Sequence, residues 1–165
     1  MIEMFVFGIA QDQNTRMPIL VLYDSTKRRA LPIWIGEAEA LAISRALGKH
    51  KPSRPMTHDL LLNTIVSLGY KVDRIEINEL SSDTYFATIF IKSVDGKRGE
   101  TKAIDSRPSD AIALALRARA PIMVSAQVVA DGTVAADHER DKEEAKEFKR
   151  FVEGLKASDF KGSSD

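Results

Sequence analysis

One stretch constrains this chain more than any other. Asp105-Ser106-Arg107-Pro108-Ser109-Asp110 runs straight into Ala111-Ile112-Ala113-Leu114-Ala115-Leu116. The second half reads as a helix with no polar side to turn towards water, so it has to be buried. Pro108 suits the first helical position, where its missing N–H costs nothing. The residue before a proline is kept out of the helical region, which makes Arg107 the N-cap. Asp110 then falls at the third helical position, near orphan backbone N–H groups and the positive end of the helix dipole. Three charges at the mouth of a buried helix are either a structural ion network, with Arg107 bridging the acids, or a site. As a site, Asp105 and Asp110 could hold a divalent cation through oxygen, and Arg107 could clamp a phosphate.

The rest of the pattern predicts an α+β domain. Ile2 to Ala10 and Met17 to Tyr23 form a hairpin, and Ala30 to Ile35 a third strand that Pro32 places at a sheet edge. Glu37 opens a helix to about Leu47 with Leu41, Leu47 and the alanines inward, and Gly48 as C-cap. Thr57 caps a second helix with Leu61, Ile65 and Leu68 buried and Leu62 and Val66 beside them. Tyr70 to Leu80, Thr84 to Ser93 and Arg98 to Asp105 form an antiparallel meander around an Asp95-Gly96 turn, and residues 121–124 a short last strand. The fold class is α+β: a mixed, mostly antiparallel sheet (N-terminal hairpin plus central meander) packed with one buried and two amphipathic helices. Phe5, Phe7, Tyr85 and Phe86 read as core. Asp137 to Leu155 is densely charged with an apolar stripe at Ala145, Phe148, Val152 and Leu155, which predicts a further charged helix. The expected organisation is a domain over 1–130, that C-terminal helix within 131–156, and a disordered tail over 157–165.

Composition narrows the function. Lys plus Arg and Asp plus Glu number 24 each, so bulk electrostatics does not drive nucleic-acid binding, though a local basic patch remains open. With no cysteine, thiol catalysis and thiolate metal sites are excluded. The acidic start Met1-Ile2-Glu3 is unlike a secretory leader, and no apolar run approaches the roughly 18 residues of a membrane span. A cytoplasmic protein without membrane contact is expected.

Glu37 and Glu39 follow a strand end, but two residues apart on a helix only one can join a given site. His58 is a candidate base or phosphate contact, while His50 and His138 have no partners at zinc spacing. Lys92, Lys97, Arg98 and Lys102 form one basic cluster, and Lys49, Lys51 and Arg54 another. Each has an ordinary structural reading as dipole complement or solvated charge.

Three segments together resemble the signature blocks of the bifunctional nuclease domain family: Leu31-Pro32-Ile33-Trp34-Ile35-Gly36-Glu37-Ala38-Glu39-Ala40, Arg54-Pro55-Met56-Thr57-His58-Asp59-Leu60-Leu61, and Asp105 through Arg117. The match covers about residues 1 to 130, with Ser106 where the family often has alanine. The resemblance implies an α+β domain, a homo-oligomer with a dimer expected first, and nuclease activity towards DNA and RNA. It carries no established catalytic set. The leading expectation is phosphodiester hydrolysis with little sequence preference, assisted by Mg²⁺ or Mn²⁺. Glu37, Asp105 and Asp110 are the expected metal ligands, His58 or Asp59 the base, and Arg107 the phosphate contact. Lys92, Lys97, Arg98 and Lys102 are expected to bind the nucleic acid. The alternatives are a non-catalytic oligomeric interaction module and a domain binding a phosphorylated ligand at the same helix N-terminus.

Overall fold

Strand-forming residues at the N-terminus make β1 (Ile2–Gln11), β2 (Pro18–Asp24) and β3 (Arg29–Trp34), successive antiparallel neighbours. The structure, a computed structural model, describes residues 1–95 and 101–136 together with Glu143 and Lys146. Gly96 of the expected turn, Lys97 and Arg98 lie outside the described residues. So, apart from Glu143 and Lys146, do the helix and tail expected beyond Ala136. After β3 come α1 (Glu37–Leu47) and α2 (Thr57–Ser67), then the meander of β4 (Tyr70–Ser81), β5 (Thr84–Ser93) and β6 (Thr101–Ser106). The buried helix is α3 (Pro108–Ala118), and β7 (Ile122–Val124), α4 (Ala126–Gly132) and β8 (Val134–Ala135) follow.

Among the described residues the strands form one sheet in the order β6-β5-β4-β7-β1-β2-β3-β8. The three-residue β7 makes it one sheet. It pairs parallel with β4 (Ile75 opposite Ile122) and antiparallel with β1 (Met4 opposite Ile122), joining the hairpin half to the meander half. Pro32 is tolerated because β3 is nearly an edge: Val21 lies opposite on one side, while β8 reaches only Arg29 and Ala30 on the other.

The core lies between the sheet and the helices. Strand side chains alternate, and β4 keeps its apolar residues inward across breaks in that alternation by bulging. Val72 and Ile75 are three apart yet both buried, because the register shifts between Val72 and Arg74; a second shift lies between Ile77 and Glu79. Residues 111–115 of α3 are fully enclosed, over β4 and β5 and between α1 and α2. The local signals at its start act as expected: Arg107 is the N-cap and Pro108 the first helical residue.

Several inward assignments are overturned. In α1 the buried residues are Ala40 and Ile43, whereas Leu41 is 52% exposed and Leu47 is also exposed. Leu41 lies about 100° around the helix from Ala40, and the smaller residue allows close approach to α3. In α2 only Ile65 is buried, with Leu62 against the core; Leu61, Val66 and Leu68 are exposed. More of this helix is apolar than one packed stripe can use. The cap of α2 is Met56, with Thr57 already helical. Phe5, Phe7 and Phe86 occupy the strand positions facing away from the helices and are exposed, Phe7 at 71%.

Leu114 is completely buried, so Leu114→Ala is expected to destabilise the protein by about 3 kcal/mol, read as a lowered urea midpoint with unchanged slope.

Candidate active site

Three chain segments meet at the start of α3. Arg107 leaves β6 as the N-cap, and its guanidinium reaches in two directions. Nε donates to Asp110 Oδ2 at 2.7 Å, and Nη2 pairs with Glu39 Oε1 at 2.8 Å. Asp110 uses its other oxygen on α2, where His58 Nε2 lies 3.0 Å from Oδ1. The row Glu39–Arg107–Asp110–His58 therefore crosses α1, α3 and α2 and draws one residue or pair from each of the three sequence blocks. It borders a cleft of about 310 Å³ whose wall is otherwise largely apolar, with Ala38, Leu41, Ala42 and Met56 among its lining residues and Arg45 beside them.

Exposure differs among these four residues. The His58 side chain is 12% accessible, Glu39 16%, Asp110 29% and Arg107 65%. Burial alone would raise the Asp110 pKa, but hydrogen bonds from Arg107 and His58, and their charges, outweigh it and hold the carboxyl below its usual range. An ionised carboxylate only accepts hydrogen bonds. His58 therefore presents Nε2–H to Asp110, and in the neutral ring Nδ1 is the nitrogen with the lone pair.

Directly behind the cleft, Arg117 ties the three helices together. Its Nε donates to Asp59 Oδ1 at 2.7 Å, Nη1 to Ala113 O at 2.8 Å and Nη2 to Ala42 O at 3.2 Å. The second Asp59 oxygen accepts the Met56 N–H at 2.9 Å, closing the first turn of α2. Burial works against ionisation of Asp59, and the Met56 and Arg117 hydrogen bonds overcome it, so its pKa is also lowered.

The expected residues divide accordingly. His58, Arg107 and Asp110 come together. Asp59 is adjacent in sequence, but both its oxygens are occupied on the far side of Arg117. Of the two glutamates, Glu39 joins the row; Glu37 is exposed and does not line the cleft. Asp105 lies on the opposite side of the sheet. It pairs with Thr88, between the inward-facing Ala87 and Ile89, so strand alternation turns it away from α3. The set Glu37, Asp105 and Asp110 is thus not gathered. Among the described residues no group of three or more histidines and acids is placed to hold a metal ion. Between Glu39 and Asp110, the two acids that do converge, the cation is Arg107. Among the described residues, the acids that converge here do not fit a divalent ion.

Lys92 and Lys102 also separate. Lys92, opposite Lys71, pairs with Asp73 on the open face; Lys102, opposite Ile91, reaches over the Tyr70 ring on the helix face. Reading by sequence overlooked Arg117 and chose Glu37 over Glu39. The signal for Arg117 was present: it lies seven residues after Asp110, on the same stripe of an otherwise apolar helix, where a lone cation needs a partner.

The chain is matched by the family model of the bifunctional nuclease domain over residues 20–137, and it belongs to that family. An uncharacterized protein of Mycobacterium tuberculosis is 34% identical over 170 residues, covering 98% of this chain and 99% of its own length. Bifunctional nuclease 2 of Oryza sativa subsp. japonica is 30% identical over 113 residues, 68% of this chain and 34% of the rice protein. Bifunctional nuclease 1 of Arabidopsis thaliana is 30% identical over 95 residues, 58% of this chain and 29% of the plant protein. The chain thus spans about a third of the plant relatives it matches. Among the described residues no helix is long and apolar enough to cross a membrane.

Two outcomes are expected. Arg117→Met should lower stability by about 2 kcal/mol, because it leaves Asp59 with only the Met56 N–H and removes a charge-assisted hydrogen bond, measured by urea unfolding at pH 7. Asp59 and Asp110 titrate below their unfolded values, so their contribution is complete above about pH 4 and is lost as pH falls through the lowered values. Asp110→Asn should therefore show a smaller loss of urea midpoint between pH 6 and pH 3 than the parent.

Proposed function

We propose that the chain is a nuclease that hydrolyses phosphodiester bonds of DNA and RNA, with His58 as general base and Arg107 as phosphate clamp. The observation that carries this reading is the His58–Asp110–Arg107 arrangement: a carboxylate orients an imidazole on one oxygen and a guanidinium on the other, at 3.0 and 2.7 Å, beside an open cleft. Family membership supports the reaction class.

Asp110 holds Nε2–H, so Nδ1 of His58 takes a proton from water as its oxygen attacks phosphorus. The P–O bond to the leaving sugar oxygen breaks, and that oxygen takes up, through solvent, the equivalent of the proton that His58 removed from water, which restores the neutral imidazole. Products are a phosphate monoester and a free hydroxyl. Because water is the nucleophile, no ribose 2′-hydroxyl is needed, and both DNA and RNA are substrates. Arg107, the most exposed member of the row, can turn part of its planar fork towards phosphate oxygens while Asp110 keeps hold of Nε. Glu39 holds the other arm of that fork and so sets its orientation. A clamp on phosphate does not read bases, so little sequence preference follows. No step is routed through a metal ion, because the acids that converge already enclose a guanidinium.

Purified protein assayed on single-stranded DNA and RNA should cleave both, with the rate unchanged by EDTA. His58→Ala should lower kcat/KM by roughly 10² or more while the circular-dichroism spectrum of the folded chain is kept, the usual loss when a general base is removed. Equal cleavage by parent and His58→Ala would remove the assignment, and abolition by EDTA would replace the metal-free route.

A further inference from the structure

A second cavity adjoins the cleft. It occupies about 620 Å³ between the C-terminal ends of α1 and α3, the loop after α1 and one side of α2. Arg45 and Arg117 line both spaces, so cleft and groove lie side by side. We propose that this groove carries the backbone of a single-stranded nucleic acid and leads it to His58, an inference that rests on the nuclease reading above.

Charge is the first argument. Arg45, Lys49, Lys51 and Arg119 line the groove with Arg117 and His50, and Asp59 is the one acid among the lining residues. The Asp59 carboxylate is taken by Arg117 and the Met56 N–H. Among the described residues no ion pair engages Arg45, Lys49, Lys51 or Arg119. In a chain of zero formal net charge, this wall is a concentrated basic strip. By contrast, Lys92 is neutralised by Asp73 and is turned to the opposite sheet face from Lys102.

The backbone supplies the second argument. Lys49 and Arg119 follow α1 and α3 in left-handed conformation, with φ of 53° and 54°. Glycine or asparagine usually fills such positions; here each holds a long cation. The carbonyl end of a helix favours a nearby cation, which accounts for these two residues singly but not for Lys51 and Arg45 on the same wall.

The third argument selects the strand type. Leu47, Pro52, Leu62 and Leu116 supply apolar surface between the cations. Alternating apolar and cationic surface suits unstacked bases beside a phosphate chain. A duplex keeps its base faces inside the stack and could offer this crevice only its backbone.

The test uses the full chain carrying His58→Ala to prevent turnover, titrated by fluorescence anisotropy against a labelled single-stranded DNA 12-mer and its duplex. Adding Lys49→Glu and Lys51→Glu should raise the Kd for the single strand at least tenfold. It should also flatten the dependence of log K on log salt by about 1.4, two phosphate contacts at about 0.7 each. Lys92→Gln with Lys102→Gln should leave the Kd within twofold. The proposal is overturned if the first pair leaves binding unchanged, if the second pair accounts for the loss, or if the duplex binds as tightly as the single strand. Cleavage by the otherwise native chain separates the two readings. Binding through the groove with no hydrolysis of any nucleic acid sinks the nuclease and keeps the groove, whereas hydrolysis and binding indifferent to Lys49→Glu and Lys51→Glu sinks the groove alone.

Discussion

Everything in this fold is arranged around the need to enclose α3. Residues 111–115 have no polar side and no exposed surface, so the sheet has to cover one side and other helices the flanks. β4 and β5 supply the floor, and α1 and α2 the walls. The desolvation of that helix stabilises the whole domain, and it also dictates where its N-terminus emerges. Charges that cannot enter the core collect at that end, in reach of the walls on either side.

The row of charges at that end is therefore a by-product of packing. Once α1 and α2 flank α3, the first turn of α1 delivers Glu39 and that of α2 delivers His58 to the Arg107–Asp110 pair. Arg117, two turns further along α3, fastens the same two walls through Ala42 and Asp59. Two arginines on one helix differ in exposure: the cation facing inward is 10% accessible and fully engaged, the one at the mouth 65% accessible. A guanidinium keeps its charge at any working pH, so the orientation of Asp110 does not depend on pH within the range where carboxylates are ionised.

Much of the local structure was legible in the residues. The span of β4, the Pro108 start of α3 and the Glu37 start and Gly48 cap of α1 all lie where short-range rules put them. The misassignments have a common cause. Leu41, Leu61 and Leu68 are apolar on helices with more apolar positions than one contact stripe can absorb, and Phe5 and Phe7 lie on the sheet face that the helices do not cover. Apolarity says that a side chain would gain from burial; it does not say which neighbour is available.

By itself the sequence determined a buried helix, its capped mouth and the three acid-bearing segments, because caps, prolines and hydrophobic periodicity act over a few residues. Only the tertiary structure decided that Glu39 rather than Glu37 meets Arg107, that Asp105 faces away, and that the basic loop after α1 lines a groove beside the cleft. Those outcomes depend on helix rotation and strand parity, where one residue of register moves a side chain to another face. Such phase is set by long-range packing against α3, which local propensity does not carry.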